Sequence, residues 1–208
     1  MSRTRIKICG VQSAACARAA VDAGADAVGF ILHAPGRRRM VTPEVAREIC
    51  LALPPFVTAV GVVVDPPAFG FEQLLRRVPV DLIQFHGKEP PGVCAKFGRR
   101  ATKVVSEPKQ LDLWGKIDEV VGLTFDKPAG GTGEALDWQA LRPTFETFTA
   151  KPLTLAGGLM PENVGEAVRL LRPYAVDVSS GVEGEDGRKS PERIRNFVEA
   201  VRNADANP

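Results

Sequence analysis

The chain has 208 residues, 44% of them hydrophobic and 25% charged, with 27 Lys and Arg against 25 Asp and Glu. This is the balance of a globular protein with one sizeable core, and a formal charge of +2 is too small to signal nucleic-acid binding. No run approaches the roughly 20 apolar residues of a membrane span. Residues 1–10 (MSRTRIKICG) lack the apolar centre of a signal peptide, so a cytoplasmic protein with neither membrane nor nucleic-acid partner is expected.

In chain order, apolar runs bounded by turn residues predict strands over residues 6–9, 27–32, 57–64, 80–85, 102–105, 120–125, 152–156 and 176–178. Most are continuously apolar, the pattern of parallel strands covered on both faces. Helical periodicity fills intervening stretches at 13–23, 43–53, 71–78, 161–171 and 191–201, with weaker segments at 90–97 and 108–114. Thr42-Pro43-Glu44 and Ser190-Pro191-Glu192 each place a capping hydroxyl before a proline at the first helical position. Eight units of about 26 residues lie near the lower size limit of a (β/α)8 TIM barrel. An open doubly wound sheet is the alternative, but its dinucleotide form would carry a GxGxxG turn where this chain reads Cys9-Gly10-Val11-Gln12. The expectation is one α/β barrel domain over residues 1–208, with a disordered tail from about residue 203.

Four cysteines, Cys9, Cys16, Cys50 and Cys94, form no CxxC pair and have no His at zinc-site spacing, so no metal is expected. Cys16, Cys50 and Cys94 fall in helical stretches and read as core residues. Chemistry in a barrel belongs to the loops after the strands, and unusual residues collect there. Gly157-Gly158 after the seventh strand and Ser180-Gly181 after the eighth are either turn residues or main-chain donors for a phosphate. Cys9 ends the first strand and Asp126 follows the sixth. A thiol and a carboxylic acid there flank a ligand over the mouth, or else Cys9 is inert and Asp126 caps its loop or pairs with Lys127. One of Arg37, Arg38 and Arg39 grips a carboxylate, or the three form a solvated run. His86 either orients a substrate or bonds to loop backbone. Asp177 meets ligand hydroxyls or pairs with Lys7.

These residues stand in strings that resemble the phosphoribosylanthranilate isomerase family: Lys7-Ile8-Cys9-Gly10, Gly24-Ala25-Asp26-Ala27-Val28-Gly29-Phe30, Arg39-Met40-Val41-Thr42-Pro43, Gln84-Phe85-His86-Gly87, Asp126 with Gly130-Gly131-Thr132-Gly133 and Trp138, Leu155-Ala156-Gly157-Gly158-Leu159, Pro161-Glu162-Asn163-Val164 and Asp177-Val178-Ser179-Ser180-Gly181-Val182-Glu183. The resemblance implies a barrel enzyme of tryptophan biosynthesis. Its reaction converts N-(5-phosphoribosyl)anthranilate to 1-(2-carboxyphenylamino)-1-deoxyribulose 5-phosphate by an Amadori rearrangement, without metal or organic cofactor. It further implies that Asp126 is the general acid and Cys9 the general base. Arg39 then holds the anthranilate carboxylate, with Arg38 as the alternative if the loop register shifts by one. Gly157, Gly158, Ser180 and Gly181 inherit the phosphate, and Asp177 and His86 take supporting places beside the substrate.

The partner implied is this small-molecule substrate, and the assembly a monomer or homodimer. The chain departs from the family pattern at Val11-Gln12-Ser13-Ala14-Ala15, at Lys127, whose alternation points it away from the site, and at Ser190. The alternatives are a barrel that binds a sugar phosphate without turnover, and a histidine-pathway isomerase, in which Asp is expected where Cys9 stands.

Overall fold

The computed structural model describes residues 3–67, 69–96, 101–127 and 136–207. Eight parallel strands close into one barrel: β1 (Arg5–Ile8), β2 (Ala27–His33), β3 (Thr58–Val63), β4 (Leu82–Phe85), β5 (Ala101–Val105), β6 (Val120–Phe125), β7 (Leu153–Leu155) and β8 (Ala175–Val178). They pair in chain order, and β8 returns to β1 with Lys7 directly opposite Asp177. Helices follow the strands: α1 (Ala14–Asp22), α2 (Pro43–Leu51), α3 (Phe71–Arg77), α4 (Pro91–Lys96), α5 (Pro108–Trp114), α6 (Trp138–Thr147), α7 (Val164–Leu171) and α8 (Pro191–Ala206). All eight strands fall within a residue or two of the hydrophobic runs that predict them, because strands covered on both faces are mostly apolar along their length.

Local chemistry sets the ends. The Thr42 hydroxyl accepts from the Val45 N–H at 3.3 Å and the Ser190 hydroxyl from the Arg193 N–H at 3.3 Å, each ahead of its helix-opening proline. β4 starts at Leu82 rather than at residue 80, because Val80 bonds back to Val78 and the Asp81 carboxylate accepts the Ala59 N–H at 2.7 Å. α7 starts at Val164 rather than 161, since the Asn163 side chain spans from the Met160 N–H to the Gly158 carbonyl. α6 is a helix the periodicity does not single out. Pro143 lies inside it and takes away one helical donor. The sequence string 130–133 and residue 97 of the expected fourth helix lie outside the described residues.

The core is a layer between barrel and helices. In β1, Ile6 and Ile8 face it while Lys7 turns into the lumen, the alternation a strand imposes. Ile194, Phe197, Val198 and Val201 of α8 lock onto the layer, and α8 lies between α7 and α1. The expected disordered tail is overturned over residues 203–206. α8 runs to Ala206, Ala204 is buried, and the Asp205 carboxylate takes the Thr4 N–H at 2.9 Å and the Thr4 hydroxyl at 2.7 Å. Those two bonds join the last helix to the strand that opens the barrel. Asp205→Ala leaves the buried Thr4 donors without their acceptor and should cost about 1–3 kcal/mol, read as a lower urea midpoint at unchanged m-value.

Candidate active site

The C-terminal ends of the strands gather the unusual residues at one mouth. Below it, the lumen holds a polar network: Lys7 Nζ donates to Asp177 Oδ2 at 2.6 Å and to Gln84 Oε1 at 3.2 Å, and Gln84 Nε2 donates to Thr124 Oγ1 at 3.1 Å. All four residues are buried. Asp177 therefore does pair with Lys7, yet its Oδ1 has no partner among the described residues. A buried carboxylate oxygen left in this state is costly unless a ligand donor meets it, so pairing and ligand binding are compatible.

Cys9 follows β1, its N–H bonded to the Val178 carbonyl at 2.8 Å and its carbonyl accepting from the Ser179 hydroxyl at 3.0 Å. β1 and β8 thus fix its position. Burial pushes the thiol above its ordinary range, Lys7 and Lys189 oppose that rise, and Asp177 adds to it. The cationic surroundings expected to favour thiolate are present, but desolvation outweighs them.

Asp126 follows β6, held by its N–H to Val105 at 2.9 Å. Lys127 reaches it through the main chain, its N–H donating to Asp126 Oδ1 at 2.7 Å. His86, after β4, is anchored by its N–H to the Val63 carbonyl at 2.8 Å, and its Nε2 stands 3.8 Å from Asp126 Oδ2. That contact is too long for a hydrogen bond but close enough for the two to titrate together. Burial raises the Asp126 carboxyl above the usual carboxylate range against the pull of His86, and burial lowers His86 against the pull of Asp126. Both shifts favour the neutral forms, so Asp126 retains a proton to higher pH, as a general acid requires.

Of the three consecutive arginines, Arg39 is the one turned into the mouth. Its Nη1 donates to Glu183 Oε1 at 2.9 Å and to the Ser179 hydroxyl, whereas Arg38 is mostly exposed and takes Glu183 Oε2 at 2.9 Å from outside. Lys189 Nζ completes the cluster, donating to Glu183 Oε1 at 3.0 Å and the Ser179 carbonyl at 2.9 Å. Burial tends to raise the Glu183 carboxyl, but Lys189 and the two arginines hold it below the usual range. One carboxylate faces three cations, which leaves the region positive.

The anion donors lie alongside. Gly157 and Gly158 both have positive φ, 85° and 71°, which favours glycine. A Cβ at Gly181 would overlap the Leu159 carbonyl oxygen, so the loop after β7 and the short 3-10 turn Ser180–Val182 pack backbone against backbone. Among the described residues no acceptor takes the main-chain N–H of Gly157, Gly158, Ser180 or Gly181. Four free donors beside a cationic cluster suit a phosphate. Among the described residues no group of three or more His, Cys, Asp or Glu is placed to hold a metal ion.

Residues 6–200 match the family model described as N-(5'-phosphoribosyl)anthranilate isomerase. The chain belongs to this family. A curated phosphoribosylanthranilate isomerase of Moorella thermoacetica is 44% identical, the match covering 97% of this chain and 91% of that protein. A solved phosphoribosylanthranilate isomerase in complex with reduced 1-(o-carboxyphenylamino)-1-deoxyribulose 5-phosphate superposes with a TM-score of 0.82 at 35% identity, over 96% of this chain and 99% of that one. A structure of monomers generated from the dimeric Thermotoga maritima isomerase gives a TM-score of 0.81 at 34% identity, over 96% of this chain and 99% of that one.

Within this isomerase-family barrel, several site residues carry no separate signal in the sequence. Glu183 and Ser179 end a matching string without standing out, Gln84 looks like one more strand residue, and Lys189 sits in an ordinary turn. Only Lys7, a charge inside an apolar run, announces itself. Asp65, by contrast, serves structure: its carboxylate accepts the Lys88 N–H at 2.7 Å, and its own N–H donates at 2.8 Å to Glu89, which forms a buried ion pair with Lys103. Glu183→Ala frees Arg39 and Lys189 from their shared anchor. Steady-state kinetics should show KM rising about tenfold or more with a smaller change in kcat, the pattern of a lost binding geometry.

Proposed function

We propose that the mouth of this barrel performs the family's isomerisation with Asp126 as general acid and Cys9 as general base. The activity is that of an isomerase of tryptophan biosynthesis, N-(5-phosphoribosyl)anthranilate being rearranged to 1-(2-carboxyphenylamino)-1-deoxyribulose 5-phosphate. Asp126 gives its proton to the furanose ring oxygen as the C1–O bond breaks, and the anthranilate nitrogen lone pair forms the C1=N bond. The Cys9 thiolate then removes the C2 proton. Its bonding electrons become the C1=C2 bond of an enolamine, the C=N electrons return to nitrogen, and tautomerisation places a proton on C1 and the carbonyl at C2. An iminium makes the C2 proton acidic enough for a thiolate, so the residues need no metal or organic cofactor for this step.

The observation that carries this reading is the placing of a thiol on β1 and a carboxyl of raised proton affinity on β6 at one end of the lumen, both within the fields of Lys7 and Asp177. Arg39 holds the anthranilate carboxylate, because it is the arginine fixed at the mouth. Gly157, Gly158, Ser180 and Gly181 hold the phosphate, and Asp177 Oδ1 accepts from a sugar hydroxyl. His86 lies beside the acid and orients the substrate there. The enzyme acts as a monomer or homodimer in the cytoplasm, without nucleic-acid or membrane partners. Among the described residues no helix is long and apolar enough to cross a membrane.

The decisive assay generates phosphoribosylanthranilate in situ and follows loss of its fluorescence on adding the protein; no acceleration over the uncatalysed decay rejects the function. Cys9→Ala and Asp126→Asn should each lower kcat by about a hundredfold to ten-thousandfold. The pH dependence follows from the two groups. Asp126 acts protonated and Cys9 ionised, and burial raises the proton affinity of both. The active form therefore carries one proton on the pair. A profile of kcat/KM should be bell-shaped, with Asp126 and Cys9 setting its two limbs.

A further inference from the structure

A thiolate buried at a barrel mouth needs a cation beside it, because desolvation otherwise returns its proton. Three charged groups bear on the Cys9 sulfur: Lys7 from its own strand, Asp177 from β8 and Lys189 from the loop after β8. Lys7 is the intimate one, and β2 shows why it gets there. A Cβ at Gly29 would stand 2.9 Å from Lys7 Cε, 3.0 Å from Lys7 Nζ and 3.1 Å from Cys9 Sγ. Ammonium and sulfur therefore converge in the hollow that the missing side chain leaves. From the opposite side Asp177 and Gln84 accept from the same ammonium at 2.6 and 3.2 Å.

From this geometry we propose that Lys7 is a positioning residue for Cys9: its ammonium, seated over Gly29, is the counter-ion that holds the thiolate while the C2 proton is taken. The inference rests on the reading of Cys9 as the base. It also gives the lumen network a catalytic use. Turnover needs Cys9 ionised while Asp126 keeps its proton, so a cation that lowers the thiol's proton affinity enlarges the active form. Asp177 works the other way on the thiol, so the two members of one ion pair have opposite effects on it. Gly29 is glycine here because any side chain would push the ammonium off the sulfur.

The test is the pH dependence of Cys9 alkylation by iodoacetamide, quantified on the Cys9 peptide by mass spectrometry, which reports thiolate without reference to turnover. Lys7→Met should move the midpoint upward by about one pH unit or more, and Asp177→Asn should move it downward. Gly29→Ala retains every charge but displaces the lysine tip. It should move the midpoint upward too, shift the Cys9 limb of kcat/KM with it and lower kcat/KM about tenfold. A midpoint unchanged in Gly29→Ala and Lys7→Met, or shifted in the same direction by all three substitutions, overturns the proposal. If Lys7→Met does not fold, Gly29→Ala alone decides. Failure of the base assignment looks different: Cys9→Ala would then retain turnover while the alkylation midpoints still moved as described.

Discussion

Lys7 carries a positive charge into the centre of the barrel, and much of the surrounding architecture serves to neutralise it. Asp177 stands opposite it in register across the β1–β8 seam, 2.6 Å from its ammonium. Removing either partner of such a buried pair typically costs about 3–5 kcal/mol, whereas an apolar pair of equal volume is often as stable, so stability alone does not explain its presence. Gln84 and Thr124 extend the contact across the lumen. The seam at which the sheet closes on itself is thus also where the lumen's charge is fixed. Cys9, two residues beyond Lys7, follows the end of the same strand.

The mouth repeats this arrangement with opposite sign. There the buried group is the Glu183 carboxylate, and Arg38, Arg39 and Lys189 surround it. The loop after β2 is in this way tied to the loop after β8, with the Ser179 hydroxyl bridging to Cys9. A chain whose formal charge is only +2 concentrates cations where an anionic substrate enters. Around Asp126 and His86 burial favours the neutral form of each. Burial acts on the Cys9 thiol in the same way, but there Lys7 and Lys189 oppose it.

Strand positions were legible because continuous apolar runs are a local signal, and the loops after them inherited their functional reading from the barrel rule. Where sequence reasoning went astray, the cause was non-local. Residues 203–206 look like a polar terminus, yet Thr4, at the other end of the chain, supplies the donors that hold Asp205. α6 escaped notice because Pro143 weakens a helix that packing of Trp138 and Leu141 restores. The proton affinity of Cys9 is non-local as well, since burial in the assembled mouth raises it against the charge of Lys7 and Lys189.

By itself the sequence determined the number and order of the strands, the end of the barrel at which the unusual residues collect, and the strings that resemble the isomerase family. Tertiary structure decided that Arg39 rather than Arg38 bonds to Ser179, that Asp177 pairs with Lys7, and that the Lys7 and Cys9 side chains converge over Gly29. The first two join residues at opposite ends of the chain, and the third depends on a glycine of the neighbouring strand. Spacing along a chain encodes which faces of a strand or helix share a side; it does not encode how far a closed sheet brings opposite strands together, nor how much water remains between them.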